Sequence, residues 1–180
     1  MAERSQGLES TALWRTYREK MSSDEERMAW VKKVYEEAVA YLSDVRQDFK
    51  NYTLHDGTHV RNVLDAMGGL LGDWIGKLSV GEIELLILAA CLHDLGMVYT
   101  DEERESAFSR ERACQEFLRE YAPELLGCAS EEWPEDKRQW YLRTLHPFRI
   151  AEALQNEGWM ELMDSWPVRA VPKRCVLAVC

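Results

Sequence analysis

The chain has no excess of positive charge: 22 Lys and Arg stand against 32 Asp and Glu, a net charge of −10. A general nucleic-acid binder normally presents a basic face, so duplex nucleic acid is not an expected partner. A small phosphorylated substrate is not excluded, because a bound divalent cation can supply positive charge locally. Long apolar runs are lacking as well. The longest, Leu85 to Leu92, is far short of the roughly 20 residues that span a bilayer. The opening MAERSQGLES has charge but no apolar stretch behind it, unlike a secretory signal. The five cysteines, Cys91, Cys114, Cys128, Cys175 and Cys180, include no C-x-x-C pair. That excludes the usual zinc clip and leaves reduced thiols in a cytoplasmic protein, without a membrane partner, as the expectation.

What is present is helical periodicity. From Ser22 to Lys50 the apolar residues Val31, Val34, Tyr35, Ala38, Tyr41, Leu42, Val45 and Phe49 recur at three and four, as one helix face requires. A second helix is predicted from Thr58 to Ile75, with Val60, Leu64, Leu70 and Trp74 in its stripe and Gly76 past its end. Ser79 and Glu82 have the spacing of a capping box that opens a third helix through about Leu95. Its middle, ELLILAACL, is apolar on every side, which places it at the centre of a bundle. Thr100 and Asp101 can cap a helix over Glu102 to Tyr121, and the pattern resumes at Glu135. Pro147 marks a kink or a new helix start. No strand pair, internal repeat or low-complexity segment is apparent, so the fold class is all-α. Residues 1–21 read as an N-terminal extension and 22–180 as one helical domain. Lys173 to Cys180, with the apolar run Val176 to Val179, resembles the opening of a buried helix, so the expectation is a domain truncated at its C-terminus or a chain that continues into further domains.

The four histidines carry the chemistry. His93 and Asp94 are adjacent at the exit of the most apolar helix. An imidazole and a carboxylate there are costly to bury unless something pairs with them. A divalent cation would do so, with both as ligands; otherwise the His caps carbonyls and the Asp faces water. His59 lies on the face of Val63 and Met67 and points inward, as a ligand or as a core residue. The connection between its helix and the next is short, so the two pack antiparallel as neighbours. Similar lengths then bring His59, at one helix's start, beside His93 at the other's end.

The string HVRNV from His59, followed about thirty residues on by LAACLHDLG, resembles the H…HD signature of the HD phosphohydrolase superfamily. The match covers roughly residues 50 to 155. The resemblance implies an HD-domain helical bundle with one or two divalent metals, hydrolysing a phosphate ester. It carries over His59, His93 and Asp94 as ligands, with Asp94 able to bridge two ions. LHDGTHVRNVLD is similar to a block of the cyclic-nucleotide phosphodiesterase branch, where the earlier histidine protonates the leaving group. His55 holds that place, as a general acid or an exposed turn residue, and Asp56 replaces the family's Asn. His146, in TLHPFRIAEAL, resembles the additional histidine of two-metal branches. If Pro147 begins a helix, the dipole at its N-terminus keeps a nitrogen lone pair available for metal; the alternative is a capping or surface histidine. YTLHDGTH, LAACLHDLGMVYT and LHPFR together also resemble the HD domains at the front of large bacterial conflict and defence proteins.

The mixed shell suits Mn²⁺, Fe²⁺, Zn²⁺, Ni²⁺ or Co²⁺. Arg61, Lys77 and Arg149 are candidates to meet phosphate oxygens, or are ordinary surface charges. One departure stands out: HD enzymes complete the shell with a late aspartate, and Asp164 is the only Asp after His146. Three readings follow. The first is a metal-dependent phosphohydrolase or phosphodiesterase acting on a nucleotide or nucleic-acid end. The second is a catalytically incomplete regulatory or ligand-sensing module, and the third a helical interaction domain.

Overall fold

The computed structural model describes residues 7–43 and 57–165. Their regular elements are α1 (Ala12–Lys20), α2 (Glu25–Leu42), α3 (Gly57–Leu71), α4 (Val80–Leu92), α5 (Asp101–Phe108), α6 (Glu111–Tyr121), α7 (Glu135–Ala153) and α8 (Glu157–Asp164). Short 3-10 turns occur at Gly72–Lys77, Leu95–Met97, Pro123–Leu125 and Ser130–Glu132. Among the described residues there is no strand, and the fold is the all-α bundle that the periodicity predicts.

Helix α4 lies at the centre, as its unbroken apolar sequence requires. Ile83, Ile87, Leu88, Ala90, Cys91 and Leu92 are buried, and α1, α2 and α3 pack against it. Its start is the expected capping box: Ser79 accepts from the Glu82 amide, and the Glu82 carboxylate accepts from the Ser79 amide. Glu84, on α4, is a buried acid. It accepts from the Tyr17 hydroxyl at 2.8 Å and from Arg27 Nε at 2.6 Å, which ties α1 and α2 to α4. Leu13, Trp14 and Tyr17 of α1 are also buried. Packing therefore continues across the boundary drawn at Ser22, and α1 is part of the core.

Several element ends differ from expectation for local reasons. Helix α3 stops at Leu71, because Gly72 takes φ +49°, a conformation glycine adopts without a Cβ clash. Leu70, still inside α3, is already turned to solvent, and beyond it the chain continues as a 3-10 turn whose tighter pitch takes Trp74 off the helical stripe. Val60 and Leu64 stay buried, but Leu70 is 89% and Trp74 64% exposed, and Trp74 lies under the Lys77 ammonium. The helix expected over Glu102 to Tyr121 is two helices. Its break is at Ser109, whose hydroxyl donates to the Ser106 carbonyl at 2.7 Å. Helix α4 ends at Leu92 rather than Leu95, and α7 runs through Pro147 without a new start there.

Helix α8 is anchored to α2 by Trp30 Nε1, which donates to the Leu162 carbonyl at 2.9 Å. Among the described residues no single helix is long and apolar enough to cross a membrane. The end of the helix expected to reach Lys50 and the final apolar run at 176–179 lie outside the described residues.

Candidate metal centre

Two helices of similar length bring three donors together. α3 has 15 residues and α4 has 13, so antiparallel packing sets the first turn of one beside the end of the other. His59 and His93 stand there with their Nε2 atoms 3.2 Å apart. Asp94 follows, 5% exposed, and its Oδ2 lies 3.1 Å from His59 Nε2 and 3.0 Å from His93 Nε2.

His93 caps the C-terminus of α4. Its Nδ1 is 3.1 Å from the Ala90 carbonyl and donates to it. Ala90 belongs to the last turn, whose carbonyls have no amide one turn ahead within the helix. With the proton on Nδ1, a neutral ring turns the Nε2 lone pair toward Asp94. Two acceptors 3.0 Å apart need a cation, either a proton or a metal ion. Burial is the strongest influence on His93 and pushes its imidazolium pKa down. The hydrogen bond and charge of Asp94, with the Ala90 carbonyl, outweigh it and hold His93 above the ordinary histidine value.

The spacing fits one ion. Neighbouring ligands at right angles, with bonds of about 2.1 Å, stand about 3.0 Å apart, and a tetrahedral pair about 3.4 Å. The three separations, 3.0, 3.1 and 3.2 Å, lie within the span of these two values. His59, His93 and Asp94 thus form a cluster able to hold a metal, two imidazoles and one carboxylate on adjacent faces.

His146 reaches the other carboxylate oxygen, its Nε2 3.7 Å from Asp94 Oδ1. It comes from the interior of α7, so a helix-terminal dipole does not act on it. Its orientation comes instead from Nδ1, which donates to the Arg143 carbonyl at 2.6 Å. His55 and Asp56 lie outside the described residues. Asp164, the last residue of α8, is exposed and stands apart from the cluster.

Two residues that sequence reasoning assigned elsewhere hold the halves of the site together. Gly96 follows the predicted end of the third helix. In fact the Leu95–Met97 turn packs on α7, and a Cβ on Gly96 would overlap the His146 carbonyl oxygen. Arg149 is neither a surface charge nor turned toward the cluster. It is buried, donates to the Gly96 and Val98 carbonyls at 2.6 and 2.8 Å, and pairs with Glu103 at 2.9 Å. Its guanidinium also lies over the Tyr99 ring, 3.6 Å from the centroid. The string HDLG beside HPFR was the available signal, but only tertiary packing shows that the two meet. Arg61 pairs with Asp65 on the surface of α3.

Two cavities among the described residues lie away from these donors. A cavity of about 590 Å³ between α2 and α8 is lined by Lys33, Tyr41 and Trp159, and one of about 660 Å³ by Arg104, Phe108 and Arg138. The convergent donor atoms are the better guide, because a metal needs ligands more than volume. The model of the HD-CE family matches residues 49–174, well over half of the chain. No curated protein and no solved structure matches it.

Proposed function

Because this chain belongs to the HD-CE family, we propose that its histidine–aspartate cluster is the centre of a metal-dependent phosphohydrolase. The observation that carries this reading is the convergence of three imidazole Nε2 atoms on the two oxygens of one buried carboxylate. Such an arrangement has no use for three lone pairs without a cation. His59, His93 and Oδ2 of Asp94 would hold one ion. Oδ1 of Asp94 with His146 gives a place to a second. The mixed imidazole and carboxylate shell suits Mn²⁺, Fe²⁺, Zn²⁺, Ni²⁺ or Co²⁺.

A bound divalent cation acidifies the water it holds and draws charge from the non-bridging phosphate oxygens. The chain's own part is geometric: Asp94 fixes the distance between donors, and carbonyls behind His93 and His146 fix their rings. Water adds to phosphorus and gives its proton to solvent as the ester P–O bond breaks. His55 is the proposed donor of a proton to the departing alkoxide. The substrate proposed is a nucleotide or nucleic-acid end, small enough to reach the site despite the chain's negative charge. The setting proposed is the cytoplasm, in keeping with the free thiols Cys91, Cys114 and Cys128.

One observation supports a second reading, a regulatory module with an incomplete shell: Asp164 is not among the grouped donors, and Asp94 is the cluster's sole carboxylate among the described residues. Elemental analysis of the parent chain with His59→Ala and His93→Ala tests both. Stoichiometric metal in the parent, lost in both variants, with turnover of nucleoside phosphate esters, is the expected result. Metal without turnover gives the second reading the lead. No metal after reloading with Mn²⁺, Ni²⁺ or Zn²⁺ overturns the proposal.

A further inference from the structure

Helix α7 contains a proline well inside its 19 residues, the least favourable place for one. In a regular helix the amide of residue 147 would donate to the carbonyl of residue 143, but proline has no N–H. The ring of a helical proline also crowds that same carbonyl. Here the Arg143 carbonyl accepts from His146 Nδ1, at 2.6 Å, a closer contact than the one His93 Nδ1 makes with the Ala90 carbonyl at 3.1 Å. The residue next to the proline thus supplies the donor that the proline withholds.

A proton on Nδ1 leaves Nε2 of the neutral ring as a bare lone pair. That Nε2 is the atom facing Asp94 Oδ1. We propose that Pro147 is a positioning residue: by withholding its amide it locks His146 in the Nδ1–H form, with Nε2 presented to a cation beside Asp94. The inference rests on the reading of the cluster as a metal centre. His93 has the same bond from Nδ1 to the carbonyl three residues back, obtained from a helix end. In α7, which continues to Ala153, proline produces that acceptor inside a helix.

The test uses the full chain, ¹⁵N-labelled and metal-free, at about pH 8.5, where an ordinary imidazole is neutral. Long-range ¹H–¹⁵N correlation reads the protonated nitrogen of His146, assigned by its loss in His146→Gln. The parent is expected to show Nδ1 protonated and Nε2 bare. Pro147→Ala restores an amide for the Arg143 carbonyl. The variant should melt at a higher temperature while His146 spreads over both tautomers and His93 stays unchanged. Mn²⁺ affinity should fall by about tenfold, as when the hydrogen-bond partner behind a ligand is lost. His146 still held solely as Nδ1–H in Pro147→Ala overturns the inference, and so does a tautomer shift with unaltered Mn²⁺ affinity. A parent that shows the lock but binds no Mn²⁺, Ni²⁺ or Zn²⁺ overturns the positioning role through failure of the metal reading, and the spectra tell that case apart.

Discussion

His93 and His146 solve one problem in two places. Each must aim a lone pair at Asp94, and each does so by donating Nδ1–H to the carbonyl three residues behind it, at 3.1 and 2.6 Å. A carbonyl inside a helix is normally engaged by the amide four residues on. At His93 the acceptor is available because α4 ends at Leu92. At His146 the helix goes on, and Pro147 removes the competing amide. The difference teaches that the position of a ligand on a helix matters less than whether a carbonyl behind it has been released from the helical ladder. It also makes the two histidines interdependent, because the turn after His93 is the surface on which His146 rests.

The largest effect should come from untying that turn from α7. Arg149→Met keeps much of the side chain's bulk but removes the donors to Gly96 and Val98, the Glu103 pair and the cation over Tyr99. Leaving two largely buried carbonyls unmet costs about 1–3 kcal/mol each. Glu103 is half exposed and recovers water, so its loss adds little. A destabilisation of about 3 kcal/mol in urea unfolding is expected, with weaker Mn²⁺ binding. A loss below about 1 kcal/mol would show that α4 and α7 are registered by packing alone.

Gly96→Ala presses on the same junction with a single methyl group. Its Cβ would meet the His146 carbonyl carbon at 3.0 Å and the Ile150 amide at 3.1 Å, besides overlapping the His146 oxygen. Backbone cannot rotate away as a side-chain tip can, so α7 must shift. Overpacking of this kind costs about 1–3 kcal/mol. It should displace His146 while leaving His59, His93 and Asp94 in place. Calorimetry measures the first consequence. The ring ¹⁵N shifts measure the second, and a disturbed His93 with an undisturbed His146 would reverse the order of dependence argued above.

The halves of this comparison were not equally legible in the sequence. His59, His93 and Asp94 could be placed together because α3 and α4 are consecutive, antiparallel and of similar length, all readable from local pattern. The buried α4 and its capping box were legible for the same reason. His146 was found by its string, but for a physical reason that the fold removes: Pro147 begins no helix. Arg149 was opaque because the carbonyls it meets lie 53 and 51 residues away in the chain. Trp74 fits a continuous helix, and only the φ of Gly72 shows where that helix stops. Local periodicity reports what a helix would bury if it continued. It does not report whether the backbone allows it to continue.

The smallest expected effect separates the proton from the metal at His93. Its folded-state pKa is raised, so the metal-free fold prefers the imidazolium more than the unfolded chain does. That contribution to stability is fully present below the unfolded value of about 6.5 and is lost as pH rises through the folded value. A metal ion needs the same nitrogen bare, so protons compete with it from above the ordinary histidine range downward. The two forms should therefore respond with opposite sign. From about pH 6 to pH 8.5, the melting temperature of metal-free protein loses the His93 contribution, while the increment added by saturating Mn²⁺ grows. His93→Gln should flatten the first trend, since glutamine does not titrate there. His146→Gln should leave it in place, because the raised value arises from Asp94 Oδ2 and the Ala90 carbonyl, which His93 meets directly, whereas His146 faces Asp94 Oδ1. A Mn²⁺ increment constant across that range would mean that His93 is not a ligand, and the metal would then have to be sought on the His146 side of Asp94.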